Sequence, residues 1–418
     1  MSSNVMHPTV APPINRLPLW VIILTCATIA GVGMGVRQSM GLYLTPLSAD
    51  LGLGREAFSI AIAISNITWG VTAPFIGAVS DKYGTGRVVM FGAVCTVVGL
   101  WLMYSATSDI DLFVSGVFLG FGVAGAGVNS LVGAVARAAP VEQRTAAIAT
   151  LGMGSGVGML IALPYTHVLM AQFGWKTSLA ILAATALIIL PLAWPVSGRP
   201  PDRDAGVAKQ SFSEALREAC TYRSFWLLNA GFFVCGFHVV FYAIHLPSFV
   251  VDQGLDPMVA VIGLILVGVG NLAGTYLSGQ WGKRRSKKFG LSIIYIGRSA
   301  VFLGFLFLPI NEATVMLFSG LLGLFWLSTI PLTSGLVSTF FGPAWMTMLY
   351  GIVFFFHQIG SFLGAWMGGR VFDATQSYDI MWWVSVGLGV FAALIHLPIR
   401  ENEVPGRGMS ETPLEAGT

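Results

Sequence analysis

The sequence contains few charged residues. Charged side chains make up 10% of its 418 residues, whereas a soluble globular protein carries about 25%. Mean hydropathy is +0.77. This composition excludes an ordinary soluble domain, in which charged residues cover the surface. A disordered Gly-rich chain is also excluded, because Phe, Trp, Leu and Ile are plentiful beside the 51 glycines.

Motifs for catalysis and metal binding are also missing. The four cysteines lack the spacing of metal ligands, and we interpret them as small packed thiols. There is no nucleophile–base set and no phosphate-binding G-x-x-x-x-G-K-S/T loop. We therefore expect no enzymatic activity, no cofactor, no metal and no ATP-driven transport. The basic residues gather at the edges of apolar segments, so the net charge gives no reason to expect a nucleic-acid partner. We find no cleavable signal peptide in the first apolar segment.

Long apolar runs dominate the chain. A helix needs about 20 apolar residues to cross a bilayer, and twelve segments qualify as spans 1 to 12. Their approximate edges are 19–46, 56–80, 88–107, 111–136, 144–171, 177–196, 224–250, 258–281, 289–309, 313–340, 345–370 and 379–398. We predict an all-α membrane protein with twelve transmembrane helices in two six-helix bundles. The bundles cover 1–196 and 224–418, the second with a short tail. The cytoplasmic linker 197–223 includes an amphipathic stretch at 211–222.

The distribution of Lys and Arg predicts the orientation, because these residues favour cytoplasmic loops. With a cytoplasmic N-terminus, 17 of the 22 basic residues fall on the inner face. The outer face then carries only Arg55, Lys176 and Arg370. We therefore predict that both termini are cytoplasmic and that the protein is a multi-pass component of a bacterial-type inner membrane.

Only two basic residues, Arg37 and Arg298, lie deep inside spans, and none of the 19 acidic residues does. A guanidinium at mid-membrane depth costs about 2.5–3.5 kcal/mol on the insertion scale, and it usually faces a cavity or a partner. No carboxylate in the spans is available to pair with either arginine. The simplest partner is an anion from outside the protein, which indicates a carrier of organic anions.

The two halves share a spacing pattern. Arg37 lies nine residues before Pro46, and His238 lies nine residues before Pro247. Two further pairs occupy similar offsets, namely Asp50 with Asp252 and Gly158 with Gly360. Repeated halves with a binding site between them are common among secondary transporters.

The loop between spans 2 and 3 carries a recognisable motif. Its sequence at 77–87, GAVSDKYGTGR, resembles the signature G-x-x-x-D-R/K-x-G-x-x-R/K of the major facilitator superfamily. The resemblance implies that Asp81, Lys82 and Arg87 act in gating and do not bind substrate. The corresponding second-half stretch at 279–285, GQWGKRR, lacks the acidic residue.

Span 5 and its exit indicate a subgroup. The stretch 144–147 (RTAA), glycines at 152, 154, 156 and 158, Pro164 and the stretch 173–176 (FGWK) resemble the monocarboxylate transporter and oxalate–formate antiporter group. The antiporters carry basic residues in spans 8 and 11. Here span 8 has Asn271 and no charge, and span 11 has His357. A dianion needs two fixed positive charges, so this departure disfavours oxalate.

Arg37 is the first candidate for substrate binding, because the resemblance places span 1 at the central cavity and a guanidinium binds a carboxylate through two parallel hydrogen bonds. The alternative is that Arg37 binds carbonyls of a broken helix. Arg298 is a second candidate, although span 9 is usually peripheral. The alternative interpretation is that Arg298 forms hydrogen bonds with nearby carbonyl or hydroxyl groups of the protein.

Other polar groups at depth complete the candidate set. His357, His238 and His245 are candidates for proton coupling, because histidine titrates near neutral pH, and His357 and His238 are also candidates for substrate contact. The alternative interpretation is that these histidines are structural and form hydrogen bonds with neighbouring groups. The remaining polar or amphipathic residues at depth are Tyr43, Asn66, Trp69, Asn129, Asn271, Thr333 and Ser334. Of these we select Tyr43 and Asn66 as substrate contacts, and helix–helix hydrogen bonding is the alternative.

Together these patterns predict a secondary transporter for a small mono- or dicarboxylate, working by proton symport with alternating access. Carboxylate exchange and multidrug efflux are the alternatives. Efflux of cationic drugs usually requires a buried acidic group, and none is present in the spans. A non-transporting receptor would need a signalling domain, for which the tail is short. The expected partners are the carboxylate, protons and the lipid bilayer, and we expect a monomer.

Overall fold

The computed structural model describes residues 17–140, 143–197, 212–342 and 346–404. The helices of the first half are α1 Leu19–Ser39, α2 Leu44–Leu51, α3 Arg55–Tyr83, α4 Thr85–Tyr104, α5 Asp109–Ala126, α6 Val128–Ala138, α7 Arg144–Ala186 and α8 Ile189–Leu192. The second half contains α9 Phe212–Thr221, α10 Arg223–Asp252, α11 Pro257–Arg284, α12 Lys287–Phe307, α13 Glu312–Phe325, α14 Thr329–Phe341, α15 Met346–Thr375 and α16 Asp379–His396. The described residues contain no strand.

Eleven helical segments are long and apolar enough to cross a membrane. One of them, Ala147–Leu192, extends over 46 residues and corresponds to two predicted spans. Its two parts meet at Gly174, where φ is 75° and ψ is 169°. Glycine adopts this backbone conformation without the steric cost of a Cβ. Division at Gly174 gives the twelve predicted crossings.

Three crossings are interrupted inside the membrane. A 3₁₀ turn at Met40–Tyr43 separates α1 from α2, Gly127 separates α5 from α6, and residues 326–328 separate α13 from α14. The 3₁₀ turn keeps its backbone hydrogen bonds, from Met40 N to the carbonyl oxygen of Arg37 and from Leu44 N to that of Gly41. Breaks that free backbone groups, as at Gly127 and at 326–328, occur in membranes where protein or a cavity surrounds them. Interrupted helices in both halves are typical of secondary transporters.

Close helix contacts repeat between the halves. A Cβ on Gly158 of α7 would collide with the backbone of Gly31 on α1. A Cβ on Gly360 of α15 would collide with the backbone of Phe233 on α10. Small residues allow this close approach. The first crossing of each half (α1 and α10) therefore packs on the fifth crossing of the same half (in α7 and α15). This agrees with the spacing shared by Gly158 and Gly360.

The two halves are joined at one end by the Arg55 latch, which consists of Arg55, Glu56, Asp252, Arg370 and Asp373. Both terminal nitrogens of Arg55 donate to the Asp252 carboxylate at 2.6 Å. The Asp373 carboxylate accepts from the backbone N–H groups of Arg55 and Glu56 at 2.9 and 2.8 Å. Arg370 Nη1 lies 3.1 Å from Glu56 Oε1. First-half residues therefore bind second-half residues at the end that the sequence predicts as external.

Contact between α3 and α15 weakens towards the opposite end. A Cβ on Gly70, halfway along α3, would collide with Gln358 of α15. Nearer the other end of these helices, a Cβ on Gly77 or Gly351 would meet no atom within 4 Å. The halves are thus joined from the Arg55 latch to mid-membrane depth and separate beyond it.

Candidate functional site

A cavity lies between the two halves at mid-membrane depth. Its polar groups all come from the first half, namely Arg37, Gln38, Ser65, Asn66 and Thr96. The second half contributes an apolar wall made of Val239, Val240, Ala243 and Ile244. Arg37 is the one charged residue in the lining that the described residues form. The cavity therefore combines one cationic group and several polar groups on one side with an apolar wall on the other.

Arg37 is positioned by two residues of α3. Its Nη2 donates to Asn66 Oδ1 at 3.0 Å, and the guanidinium carbon lies 5.2 Å from the centre of the Trp69 ring. Asn66 is itself fixed, because its Nδ2 donates to the carbonyl oxygen of Ile62 at 2.9 Å. An arginine has five N–H donors, and this bond to Asn66 is the one hydrogen bond that its side chain makes with the described residues. The remaining donors are available for a carboxylate.

The local sequence explains how Arg37 reaches the cavity. Gly31 and Gly35 on α1 lie so close to α7 that an added Cβ would approach Gly154 or Gly158 within about 3 Å. One face of α1 is therefore pressed against α7. Asn66 and Trp69 share a face of α3, since residues three apart in a helix are neighbours. The structure brings these two residues and Arg37 together.

Gln38 and Ser65 line the same cavity, and the sequence alone does not single them out. Gln38 is 7% exposed, yet its side-chain amide makes no hydrogen bond within the described part of the chain. The Ser65 hydroxyl likewise has no partner there. By contrast, Thr96 donates to the carbonyl oxygen of Gly92 at 3.0 Å. The only signal in the sequence is the position of Gln38 beside Arg37.

Arg298 lies outside the cavity, inside the second half. Its Nε donates to the carbonyl oxygen of Phe325 at 3.0 Å, and its Nη2 donates to the carbonyl oxygens of Phe325 and Trp326. The Cys235 sulfur accepts from the same nitrogen at 3.3 Å. These contacts satisfy backbone carbonyls at the break between α13 and α14. Asn271 supports the break from the other side, because its Oδ1 accepts from Leu327 N at 2.9 Å.

His238 and His245 are buried in the second half and do not line the cavity. His238 Nε2 donates to the carbonyl oxygen of Ser385 at 2.9 Å. His245 Nε2 donates to the carbonyl oxygen of Ala365 at 2.9 Å, and its Nδ1 lies 3.1 Å from the Tyr378 hydroxyl. Tyr378 in turn accepts from Arg55 Nη1 at 2.9 Å. His245 is thus connected to the Arg55 latch through one tyrosine.

His357 is connected to Arg37 through two aromatic rings. Trp69 meets Phe354 edge-on at 5.0 Å between ring centres, and Phe354 stacks on His357 at 5.8 Å. His357 Nδ1 lies 3.4 Å from both Gln358 Oε1 and Ser361 Oγ, which is too long for strong hydrogen bonds. His357 is therefore the predicted titratable residue with the most direct packing route to the cavity.

Tyr43, Thr333 and Ser334 do not line the cavity. Tyr43 is fully buried and its hydroxyl contacts Ser178 Oγ at 2.6 Å. The Thr333 hydroxyl is buried without a partner among the described residues, and Ser334 donates to the carbonyl oxygen of Pro331. The side chain of Asn129 lies outside the described part of the structure.

The predicted gating motif spans the end of α3 and the start of α4. Asp81 and Lys82 belong to the last turn of α3, and their side chains lie outside the described part of the structure. Arg87 is exposed in the first turn of α4. The motif therefore lies at the end of the molecule opposite the Arg55 latch.

Comparison with known proteins places the chain in a family. The sequence pattern of the Major Facilitator Superfamily matches residues 21–365. The chain belongs to the major facilitator superfamily. Its fold is therefore the twelve-helix transporter fold, and the chain is a multi-pass membrane transporter and not an enzyme, as the sequence predicts.

Relatives within the superfamily are distant. The chain is 27% identical to the uncharacterized MFS-type transporter YcxA of Bacillus subtilis, over 90% of this chain and 94% of that protein. It is 25% identical to monocarboxylate transporter 11 of Mus musculus, over 86% of this chain and 82% of the transporter. The hexuronate transporter of Bacillus subtilis is 24% identical, over 84% and 86% of the two chains.

Solved structures of superfamily members share the fold. The nucleoside transporter NupG superposes with a TM-score of 0.76 at 14% identity, covering 91% of this chain and 99% of that one. A D-xylose-proton symporter superposes with a TM-score of 0.70 at 17% identity, covering 91% and 98%. At these identities the similarity concerns the fold of this superfamily member and not its substrate.

Proposed function

We propose that this superfamily member transports a small monocarboxylate across the inner membrane by proton symport with alternating access. The observation that carries the proposal is Arg37, a cavity-lining residue whose guanidinium makes one hydrogen bond with the described residues, to Asn66, and leaves its other donors unpaired there. Charge-assisted bidentate binding of a carboxylate would use these donors. The carboxylate would bind at Arg37 and its carbon chain would lie against the apolar wall.

The choice of a monocarboxylate follows from the charges in the cavity. Arg37 is its one cation, and the facing wall of Val239, Val240, Ala243 and Ile244 cannot compensate a second negative charge. Burial of an unpaired carboxylate is costly. A dicarboxylate would therefore bind less tightly than a monocarboxylate of the same length. The monocarboxylate transporters among the relatives support this choice.

Proton coupling completes the proposal. A carboxylic acid with a pKa of about 4 is rarely protonated at pH 7, so a protein group should carry the proton. His357 is the preferred carrier because its ring stacks on Phe354, which meets Trp69 beside Arg37, so the two sites are in packing contact, although these rings do not themselves relay a proton. His238 and His245 remain candidates for coupling, and the chain from His245 through Tyr378 to Arg55 suits a role at the latch.

The two alternatives differ in what they require. An exchanger could use the same cavity without a proton carrier, and exchange without net uptake would reveal it. An exporter of cationic drugs would need an acidic group, and the cavity that the described residues form has none.

Substitution of Arg37 tests the carboxylate site. The first measurement is a thermal-shift series of the purified protein with butyrate and succinate, because a ligand at 100 times its Kd stabilises the protein by about 2.7 kcal/mol. We expect stabilisation by butyrate at lower concentrations than by succinate. Arg37→Lys keeps the charge but loses the planar pair of donors, so butyrate affinity should fall by about tenfold or more.

Arg298→Lys is the matched control. Lysine cannot satisfy the carbonyl oxygens of Phe325 and Trp326 as the guanidinium does, so this variant should lower thermal stability. Its butyrate affinity and uptake into proteoliposomes should fall far less than those of Arg37→Lys. If Arg37→Lys binds butyrate with wild-type affinity, Arg37 does not bind the carboxylate. A larger loss of butyrate affinity in Arg298→Lys than in Arg37→Lys would indicate that the binding site lies nearer to α12.

A further inference from the structure

The cavity contains polar groups that a simple carboxylate would not use. Gln38 lies immediately after Arg37 on α1, and both residues line the cavity. The Gln38 side chain is more than nine-tenths buried, and among the described residues its amide has no hydrogen-bond partner. Ser65 of α3 lines the same cavity with a hydroxyl that also has none.

These groups contrast with other polar side chains around the cavity. Asn66 uses its amide to bind Arg37 and the carbonyl oxygen of Ile62, and the Thr96 hydroxyl binds the carbonyl oxygen of Gly92. Both therefore have internal partners. Gln38 and Ser65 are the polar neighbours of Arg37 whose side chains remain available within the described cavity.

We propose that Gln38 is a specificity-determining residue that hydrogen-bonds an uncharged hydroxyl or carbonyl group of the substrate while Arg37 binds its carboxylate, with Ser65 assisting. This assignment rests on the proposed function and narrows the substrate to monocarboxylates that bear such a substituent near the carboxylate. Its physical basis is desolvation. A substrate displaces water from the cavity, and an unsubstituted acid would leave the Gln38 amide buried and unpaired.

A site of this kind discriminates against analogues that lack the polar group. An apolar pocket separates substrates that differ by one methylene or one hydroxyl only weakly, whereas buried polar groups reject a ligand that cannot pair with them. The two walls of the cavity would then have separate tasks. The second-half wall would contact the carbon chain, and Gln38 would recognise its substituent.

Three acids of equal chain length test the assignment, namely butyrate, 2-hydroxybutyrate and 3-hydroxybutyrate. Their affinities for the purified full chain are measured by calorimetry, and the readout is the ratio of the Kd for butyrate to that for each hydroxy acid. We expect the wild-type ratio to be about fivefold to tenfold for at least one hydroxy acid, as one net hydrogen bond provides. In Gln38→Met, which keeps the length of the side chain without its amide, the ratio should fall to about one.

Gln358→Met is the matched control, because Gln358 is a fully buried glutamine on α15 that does not line the cavity. This control should keep the wild-type ratio, since a general loss of stability does not change a ratio of affinities. Equal wild-type binding of all three acids, or a ratio that survives in Gln38→Met, would overturn the role of Gln38 while the carboxylate site stands. Absence of binding by all three acids would overturn the proposed function together with this assignment.

Discussion

The two arginines at membrane depth have the same chemistry and different surroundings. Arg298 is fully buried and directs its Nε and Nη2 donors at carbonyl oxygens of the break after α13. The side chain of Arg37 makes one hydrogen bond with the described residues, and Arg37 lines the cavity. At Arg298, backbone carbonyls offset much of the cost of placing a guanidinium in the membrane, although its Nη1 is buried without a partner among the described residues. At Arg37 that compensation is incomplete until a ligand binds.

His357 provides the residue-scale prediction on coupling. If His357 carries the proton, His357→Gln should flatten the pH dependence of uptake driven by an imposed pH gradient, because glutamine cannot titrate. Counterflow exchange in proteoliposomes should persist, since it needs no net proton movement. An undiminished pH response in the variant would assign His357 a structural role. Loss of both uptake and exchange would place it in substrate binding beside Arg37.

Sequence reasoning identified part of the candidate site. Arg37 stands out because a charge at membrane depth is costly, and Asn66 and Trp69 follow from polarity and helical spacing. Gln38 could not be selected, because the sequence does not show whether its amide has an internal partner. Tyr43 is predicted as a substrate contact, but its hydroxyl contacts Ser178, which is distant in sequence, so the sequence could not show that the group already has a partner.

At the scale of elements, apolar length predicts the crossings but not their interruptions. The predicted spans 144–171 and 177–196 are separated by a short connection around the stretch FGWK, and the structure separates them at Gly174, whose backbone is not helical. The break after α13 could not be predicted, because it depends on Arg298 and Asn271 from two other helices. Tertiary contacts decide where a membrane helix can be broken.

A carboxylate from the C-terminal segment fixes the start of α12. Glu401 Oε1 accepts from the Ser286 hydroxyl at 2.5 Å and from Lys288 N at 2.8 Å. Its Oε2 accepts from Lys287 N at 3.2 Å. Helix N-termini favour negative charge. The carboxylate therefore lies just beyond the stretch GQWGKRR, which lacks the acidic residue present in the first-half motif.

Glu401→Gln tests this contact through pH. Partial burial raises the pKa of Glu401, but hydrogen bonds from Ser286, Lys288 and Lys287 outweigh it and hold the pKa below its usual value. A depressed pKa stabilises the folded state above the unfolded pKa of about 4.3, and this stabilisation is lost as pH falls through the folded pKa. Wild type should therefore melt above Glu401→Gln at pH 7, and the difference should shrink as pH falls below about 4. A melting difference that is independent of pH would contradict the prediction.

At the scale of the whole molecule, the uneven distribution of basic residues between the two ends predicts the orientation of the protein in the membrane. The Arg55 latch contains two of the three basic residues predicted to face outward, Arg55 and Arg370. The basic residues at the end of α11, in the connection to α12 and at the start of α12 (Lys283, Arg284, Arg285, Lys287 and Lys288) lie at the opposite end. We predict that both termini are cytoplasmic. Fusion of a compartment-sensitive reporter to each end should give cytoplasmic signals. A periplasmic signal from one end alone would reject twelve crossings, and periplasmic signals from both ends would reject the predicted orientation.

The latch also predicts how the molecule opens. Arg55 and Asp252 join the halves through two hydrogen bonds, and their side chains are 11% and 26% exposed. A pair this well ordered contributes about 1 kcal/mol, or roughly fivefold in the balance between closed and open states. Asp252→Asn should therefore expose the cavity to the Arg55 side more often. Restoration of the charges in the swapped pair Arg55→Asp with Asp252→Arg should reduce this exposure again.

Labelling from outside the membrane measures the change. Val240→Cys places a thiol in the cavity, and Cys220→Ser removes the exposed native cysteine. An impermeant maleimide should label position 240 about fivefold faster when Asp252→Asn is present. Asp50→Asn is the control, because Asp50 pairs with Lys176 within the first half at 3.8 Å with both side chains about half exposed. It should leave the rate unchanged, and equal rates in the Asp50 and Asp252 variants would show that the latch does not close the cavity.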